Sequence, residues 1–78
     1  MNVRLFAGLS ELVGQAEVNV DLPADATAGD LLSRLQAMYP AAAGLLSRSA
    51  VAVEQGYCRA HERIVGDDVA VLPPVSGG

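Results

Sequence analysis

Hydrophobic residues fall at every second position at the start of the chain, where Met1, Val3 and Leu5 alternate with Asn2 and Arg4. A period of two places successive side chains on opposite faces of a strand, so this segment predicts a half-buried β-strand. Phe6 is in phase with the polar residues and therefore points to the face opposite the core. Ala16, Val18, Val20 and Leu22 alternate with Glu17, Asn19 and Asp21 and predict a second strand, which Pro23 terminates. The Gly8–Gln15 connection is too long for a tight hairpin, and Leu9, Leu12 and Val13 around Ser10 and Glu11 predict one helical turn within it.

The period changes after Thr27. Ala28, Leu31, Leu32, Leu35, Met38 and Tyr39 recur at spacings of three and four, which predicts an amphipathic helix with Asp30, Ser33, Arg34 and Gln36 on its polar side. Thr27 serves as its cap and Asp30, three residues on, reaches back to the first free amides. Pro40 stops the helix at Tyr39. The Ala41–Leu46 segment fits either a loop or a further helical turn. A short strand at Ala50–Val53, a Gln55-Gly56 turn and an extended piece at Tyr57-Cys58 follow; Gly66-Asp67-Asp68 is a turn signal ahead of the last strand, Val69–Leu72.

Two strands, a helix and further short strands in 78 residues describe one α+β domain, with the helix on one face of a mixed sheet of four to five strands. The β-grasp fits this order, and it places the first and last strands side by side and parallel. Residues 1–72 are expected to form the domain and residues 73–78 an extended tail.

Composition narrows the function classes. The chain is 51% hydrophobic and 18% charged, too apolar for disorder and too interrupted by charges, Gly and Pro for a membrane span. Nine acidic residues against five basic ones give a net charge of −4 and no basic stripe, so neither nucleic acid nor a membrane is an expected partner. With no signal-peptide pattern at Met1–Phe6 and the single Cys58 unable to form an internal disulfide, the expected compartment is the cytoplasm. A single His61 and a single Cys58 leave no pair for a metal cage and no triad, so no metal site is expected. Cys58 reads as a half-buried structural thiol and His61 as a solvated loop residue.

The chemistry concentrates at Pro73-Pro74-Val75-Ser76-Gly77-Gly78. The prolines hold the backbone extended where the tail leaves the last strand, and six residues reach roughly 20 Å. The two glycines have no side chain and fit a channel too narrow for any other residue. A terminal carboxylate, with an ordinary pKa of about 3.3–3.7, is an unreactive anion at neutral pH. Joining it to AMP creates a mixed anhydride, and a sulfur nucleophile that displaces AMP leaves a thiocarboxylate. Phe6 and Leu72 sit on the outward phase of strands that the β-grasp makes neighbours, so with Val75 they are expected to form an apolar patch that a partner grips at the root of the tail.

The ending PPVSGG, together with Val65-Gly66-Asp67-Asp68-Val69-Ala70, Phe6-Ala7, Glu11-Leu12-Val13-Gly14 and Ala52-Val53-Glu54-Gln55, resembles the small sulfur-carrier subunit of molybdopterin synthase, a ubiquitin-like sulfur-carrier family. The resemblance spans the whole chain. It implies a β-grasp fold and a subunit that is not an enzyme on its own. It also implies adenylation of Gly78 by an ATP-dependent enzyme, with AMP linked only transiently and no permanent cofactor, and then a thiocarboxylate supplied by a sulfur donor such as a cysteine desulfurase or rhodanese. Pro73, Pro74, Val75, Ser76 and Gly77 would insert into the large catalytic subunit of a heterotetramer, where the sulfur is delivered to cyclic pyranopterin monophosphate. Two positions depart from the pattern: Leu72 where such sequences often carry Phe, and Ser10 where Arg can occur. The alternatives are a sulfur carrier for thiazole, cysteine or thiolated-tRNA synthesis, or a ubiquitin-like modifier that forms an isopeptide bond with a target lysine.

Overall fold

The computed structural model describes residues 1–75. β1 (Asn2–Leu5) follows its sequence pattern, burying Val3 and Leu5 and exposing Asn2 and Arg4. It pairs antiparallel with β2 (Glu17–Asn19), and the helix α1 (Gly8–Val13) fills the connection. β2 is shorter than the Ala16–Leu22 alternation predicts because β1 offers few partners. The ladder runs on by one hydrogen bond at each end, from Leu5 N–H to the Ala16 carbonyl and from Val20 N–H to the Met1 carbonyl, both 2.8 Å. Val18 and Val20 are buried as expected, Leu22 is partly buried and Ala16 is exposed.

α2 (Ala28–Met38) begins as the sequence predicts. Thr27 Oγ1 accepts the Asp30 N–H at 3.1 Å while the Asp30 carboxylate accepts the Thr27 N–H at 2.9 Å. Helix starts leave backbone amides unpaired, and the loop before the last strand supplies further acceptors: Ala28 N–H donates to the Glu62 carbonyl and Gly29 N–H to the Ala60 carbonyl. Leu31 and Leu35 are fully buried, whereas Met38, near the end of the apolar stripe, is 40% exposed. The segment left open after Pro40 is helical, with a 3-10 turn at Pro40–Ala42 running into α3 (Ala43–Leu46). These turns bury Ala42 and Leu46 in the core.

β3 (Ala50–Val53), β4 (Gly56–Cys58) and β5 (Val69–Leu72) complete a sheet of order β2-β1-β5-β3-β4. β5 is central, parallel to β1 and antiparallel to β3, so first and last strands lie side by side as expected. This is a β-grasp: Leu31 and Leu35 of α2 share one core with Val3, Val51, Val69 and Val71 of the sheet. The β3–β4 turn falls one residue earlier than the Gln55-Gly56 signal. Glu54 and Gln55 occupy it with φ of 50° and 69°, while Gly56 opens β4. Among the described residues no helix is long and apolar enough to cross a membrane.

Candidate functional site

The face of the sheet away from α2 is defined by one row of cross-strand partners. Arg4 on β1 lies opposite Ala70 on β5, Ala70 opposite Ala52 on β3, and Ala52 opposite Tyr57 on β4. Directly opposed residues share a face, so two small side chains make a low floor between larger flanks. Phe6 and Leu72 extend the row, and the result is an open groove of about 280 Å³ lined also by the Gln55 side chain. Phe6 is 39% exposed and Tyr57 80% exposed, a large aromatic surface for so small a domain.

Local backbone strain surrounds this groove. Ala7, immediately after Phe6, has φ 50° and ψ −129°, a conformation ordinarily left to glycine. It turns the chain away from the sheet, and the Ser10 hydroxyl donates to its carbonyl at 2.8 Å. Thus Ser10, one of the two departures from the family pattern, serves the turn behind Phe6. The other positive-φ non-glycine residues are Glu54 and Gln55, so all three such positions in the described chain flank the groove.

Glu54 is held by the turn before β5. Its carboxylate accepts the N–H groups of Asp67 at 3.1 Å and Asp68 at 2.6 Å, and its own N–H donates to the Asp68 carbonyl at 2.8 Å. Gly66 is required there: its φ is 134°, and a Cβ would lie 2.6 Å from Glu54 Cγ. Asp68 in turn pairs with Arg4. The Arg4 guanidinium lies 5.6 Å from the centroid of the Phe6 ring.

The structure brings Phe6 and Leu72 together, as the outward phases of β1 and β5 predict. It does not bring Val75 to them: Val75 is 93% exposed and does not line the groove, because the chain has left the sheet after Leu72. Pro73 is partly buried and Pro74 exposed. Ser76, Gly77 and Gly78 lie outside the described residues. Sequence reasoning missed Arg4, Gln55 and Tyr57 as groove residues. Tyr57 and Arg4 were legible, since Tyr57 alternates with the inward Cys58 and Arg4 shares the outward phase of Phe6; Gln55 needed the turn position.

The remaining candidates fall elsewhere. Cys58 is partly buried, and burial pushes its thiol above the ordinary value of 9.0, with the Glu62 carboxylate pushing the same way. A thiol kept protonated is a poor nucleophile. His61 is exposed on the loop after β4. A larger recess of about 460 Å³ lies beside α2, between Leu22-Pro23 and Asp30, Ser33 and Arg34, and no β5 residue lines it. Among the described residues, no three His, Cys, Asp or Glu side chains gather as they would around a metal ion.

Comparison with known proteins agrees with this layout. A model described as the ThiS family matches residues 3–78. The molybdopterin synthase sulfur carrier subunit of Dictyostelium discoideum is 36% identical over 80 residues, covering 97% of this chain and 93% of that protein. Small archaeal modifier protein 1 of Haloferax volcanii is 35% identical, with 100% of both chains covered. The crystal structure of SAMP1 from Haloferax volcanii superposes with a TM-score of 0.80 at 34% identity, covering 99% of this chain and 97% of that one. A match along nearly the entire sequence, with the same β-grasp architecture, establishes that the chain belongs to the ThiS family.

Proposed function

We propose that this chain is the sulfur-carrier subunit of a molybdopterin synthase, with the carboxylate of Gly78 as its reactive group. The observation that carries the reading is the relation, along almost the whole chain, to proteins named molybdopterin synthase sulfur carrier subunit. The point at which the chain leaves β5 supports it. β5 is bonded to a neighbour on each side, so Pro73 leaves a rigid strand whose last residue, Leu72, lines the groove.

In this reading the groove is where an activating enzyme and then a large catalytic subunit dock. Phe6 and Leu72 supply apolar anchors, and Pro73 and Pro74 set the direction in which Val75, Ser76 and Gly77 thread toward a partner's active site. The Gly78 carboxylate attacks the α-phosphorus of ATP, pyrophosphate leaves, and an acyl adenylate forms. A persulfide on a donor protein then displaces AMP to give an acyl disulfide, and a thiol attacks the donor's sulfur, breaking the S–S bond to release the thiocarboxylate and leave a disulfide between donor and thiol. No residue of the domain takes part in bond making in this reading, which suits a groove whose lining carries one charged side chain, Arg4. The thiocarboxylate sulfur is spent on cyclic pyranopterin monophosphate in the large subunit, where it becomes part of the dithiolene.

A second reading has its own support. Small archaeal modifier proteins 1 and 3 of Haloferax volcanii are 35% and 32% identical to this chain, so the same adenylate serving protein modification is the rival. Reconstitution separates the two. The thiocarboxylated chain, mixed with a large subunit and cyclic pyranopterin monophosphate, forms molybdopterin if the proposal holds, and Gly78→Leu abolishes it. Conjugates to lysines of other proteins, with no molybdopterin formed, would establish the modifier instead.

A further inference from the structure

We propose that Arg4 is a positioning residue for the docking face: held by Asp68, it fixes the Phe6 ring at the edge of the groove, so that partners meet a preformed aromatic wall. The proposal rests on the reading that partners dock at this groove. Phe6 directly follows β1 with 39% of its surface open, and of the residues that line the groove with it Ala52 and Ala70 are short and Leu72 is a flexible aliphatic. A partly exposed aromatic that is free to change rotamer has to be ordered on binding, and that ordering costs affinity. Arg4, two residues earlier on the same face, supplies a further constraint. Its guanidinium carbon is 5.6 Å from the ring centroid, inside the roughly 6 Å reach of a cation–π contact.

A free arginine would not hold a ring still, since its own side chain is flexible. Asp68 removes that freedom by pairing with the guanidinium, and Asp68 is itself anchored. Its N–H donates to the Glu54 carboxylate and its carbonyl accepts the Glu54 N–H, so the strained β3–β4 turn and the turn before β5 brace each other beneath the pair. Glu17 also faces Arg4 across the β1–β2 ladder, yet the ion pair is made with Asp68. The contacts therefore run from Glu54 through Asp68 and Arg4 to Phe6. Both partners of the ion pair are substantially solvent-exposed, and such pairs add little to stability. The geometric role is accordingly separable from folding.

Phe6 is the single phenylalanine of the chain, so phenylalanine-labelled protein gives one ring spin system to follow by NMR. Arg4→Met and Asp68→Asn are expected to move the Phe6 ring signals toward those of an unstructured peptide while the methyl signals of Val3 and Val69 stay in place. Arg4→Lys, which keeps a cation near the ring, is expected to retain part of the shift. In ATP–pyrophosphate exchange with the cognate adenylating enzyme, Arg4→Met and Asp68→Asn should raise KM about two- to fivefold, the size of an exposed cation–π contact, with kcat unchanged. Ring signals unmoved in both variants overturn the proposal, as do moved signals with an unchanged KM. A wild-type chain that is not adenylated fails the sulfur-carrier reading instead, and the ring signals then decide the positioning of Phe6 by themselves.

Discussion

Glu54 and Asp68 are joined twice: the Glu54 N–H donates to the Asp68 carbonyl at 2.8 Å, and the Asp68 N–H donates to the Glu54 carboxylate at 2.6 Å. The second contact lets a residue other than glycine occupy the left-handed region at φ 50°, because the side chain recovers in hydrogen bonds what the backbone loses in strain. Glu54→Ala should therefore destabilise the domain by about 1–2 kcal/mol, a charged acceptor lost at an exposed site, as measured by urea unfolding. Gly66→Ala should cost about 2 kcal/mol or more for its backbone conformation and its clash with Glu54. In a double-mutant cycle the two losses should sum to less than additivity, since Glu54→Ala removes the atom that the new Cβ would strike.

The α2 cap gives an independent check on the fold. Thr27→Ala removes the acceptor for the Asp30 N–H and should cost about 1 kcal/mol, whereas Thr27→Ser should be close to neutral. Leu35→Ala, at a fully buried position, should cost about 2–5 kcal/mol and leave a domain this small largely unfolded at 37 °C. Thermal unfolding followed by circular dichroism separates the two losses.

Cys58 should be inert. Its thiol is held above 9.0 by burial and by the Glu62 carboxylate, so the folded chain should react with iodoacetamide at pH 7.5 more slowly than the urea-unfolded chain. Because the protonated thiol is favoured in the fold, its contribution to stability is complete below the ordinary value of 9.0 and declines as pH rises past it. Cys58→Ser should leave sulfur loading intact. Loss of loading in that variant would place the sulfur on Cys58 and contradict the tail chemistry.

Much of the fold was legible because local rules and tertiary needs agree. The period-two run ending at Leu5, the Thr27/Asp30 cap and the apolar Val69–Leu72 strand each specify their own element, and the parallel pairing of Val3 with Val69 follows from the β-grasp order. The β3–β4 turn was displaced by one residue because its conformation is set by Glu54 reaching a loop fourteen positions away, which no local signal records. The Phe6–Leu72 half of the site followed from strand phase. The outward phase of Arg4 followed likewise, but its ion pair with Asp68 did not, and neither did Gln55, which is placed by that strained turn. Val75 was expected in the same patch because it is apolar and close in sequence, but the chain departs from the sheet at Pro73.

The groove reading predicts a division of labour between domain and tail. Leu72→Asp buries a charge against Phe6 and the alanine floor when a partner docks, so it should weaken binding to an adenylating enzyme by tenfold or more, on the order of 1.4 kcal/mol, while leaving Gly78 chemistry available at saturating enzyme. One residue added after Gly78 should do the reverse, leaving binding near normal and abolishing adenylation. Binding by calorimetry and pyrophosphate exchange on the same variants distinguish these outcomes.

The most direct measurement is the intact mass of the chain after incubation with ATP, its adenylating enzyme and a sulfur donor. The account predicts a gain equal to the replacement of one oxygen by sulfur, localised by fragmentation to Gly78 and absent when ATP is withheld. An unchanged mass with all components active, or sulfur found on Cys58, would contradict it.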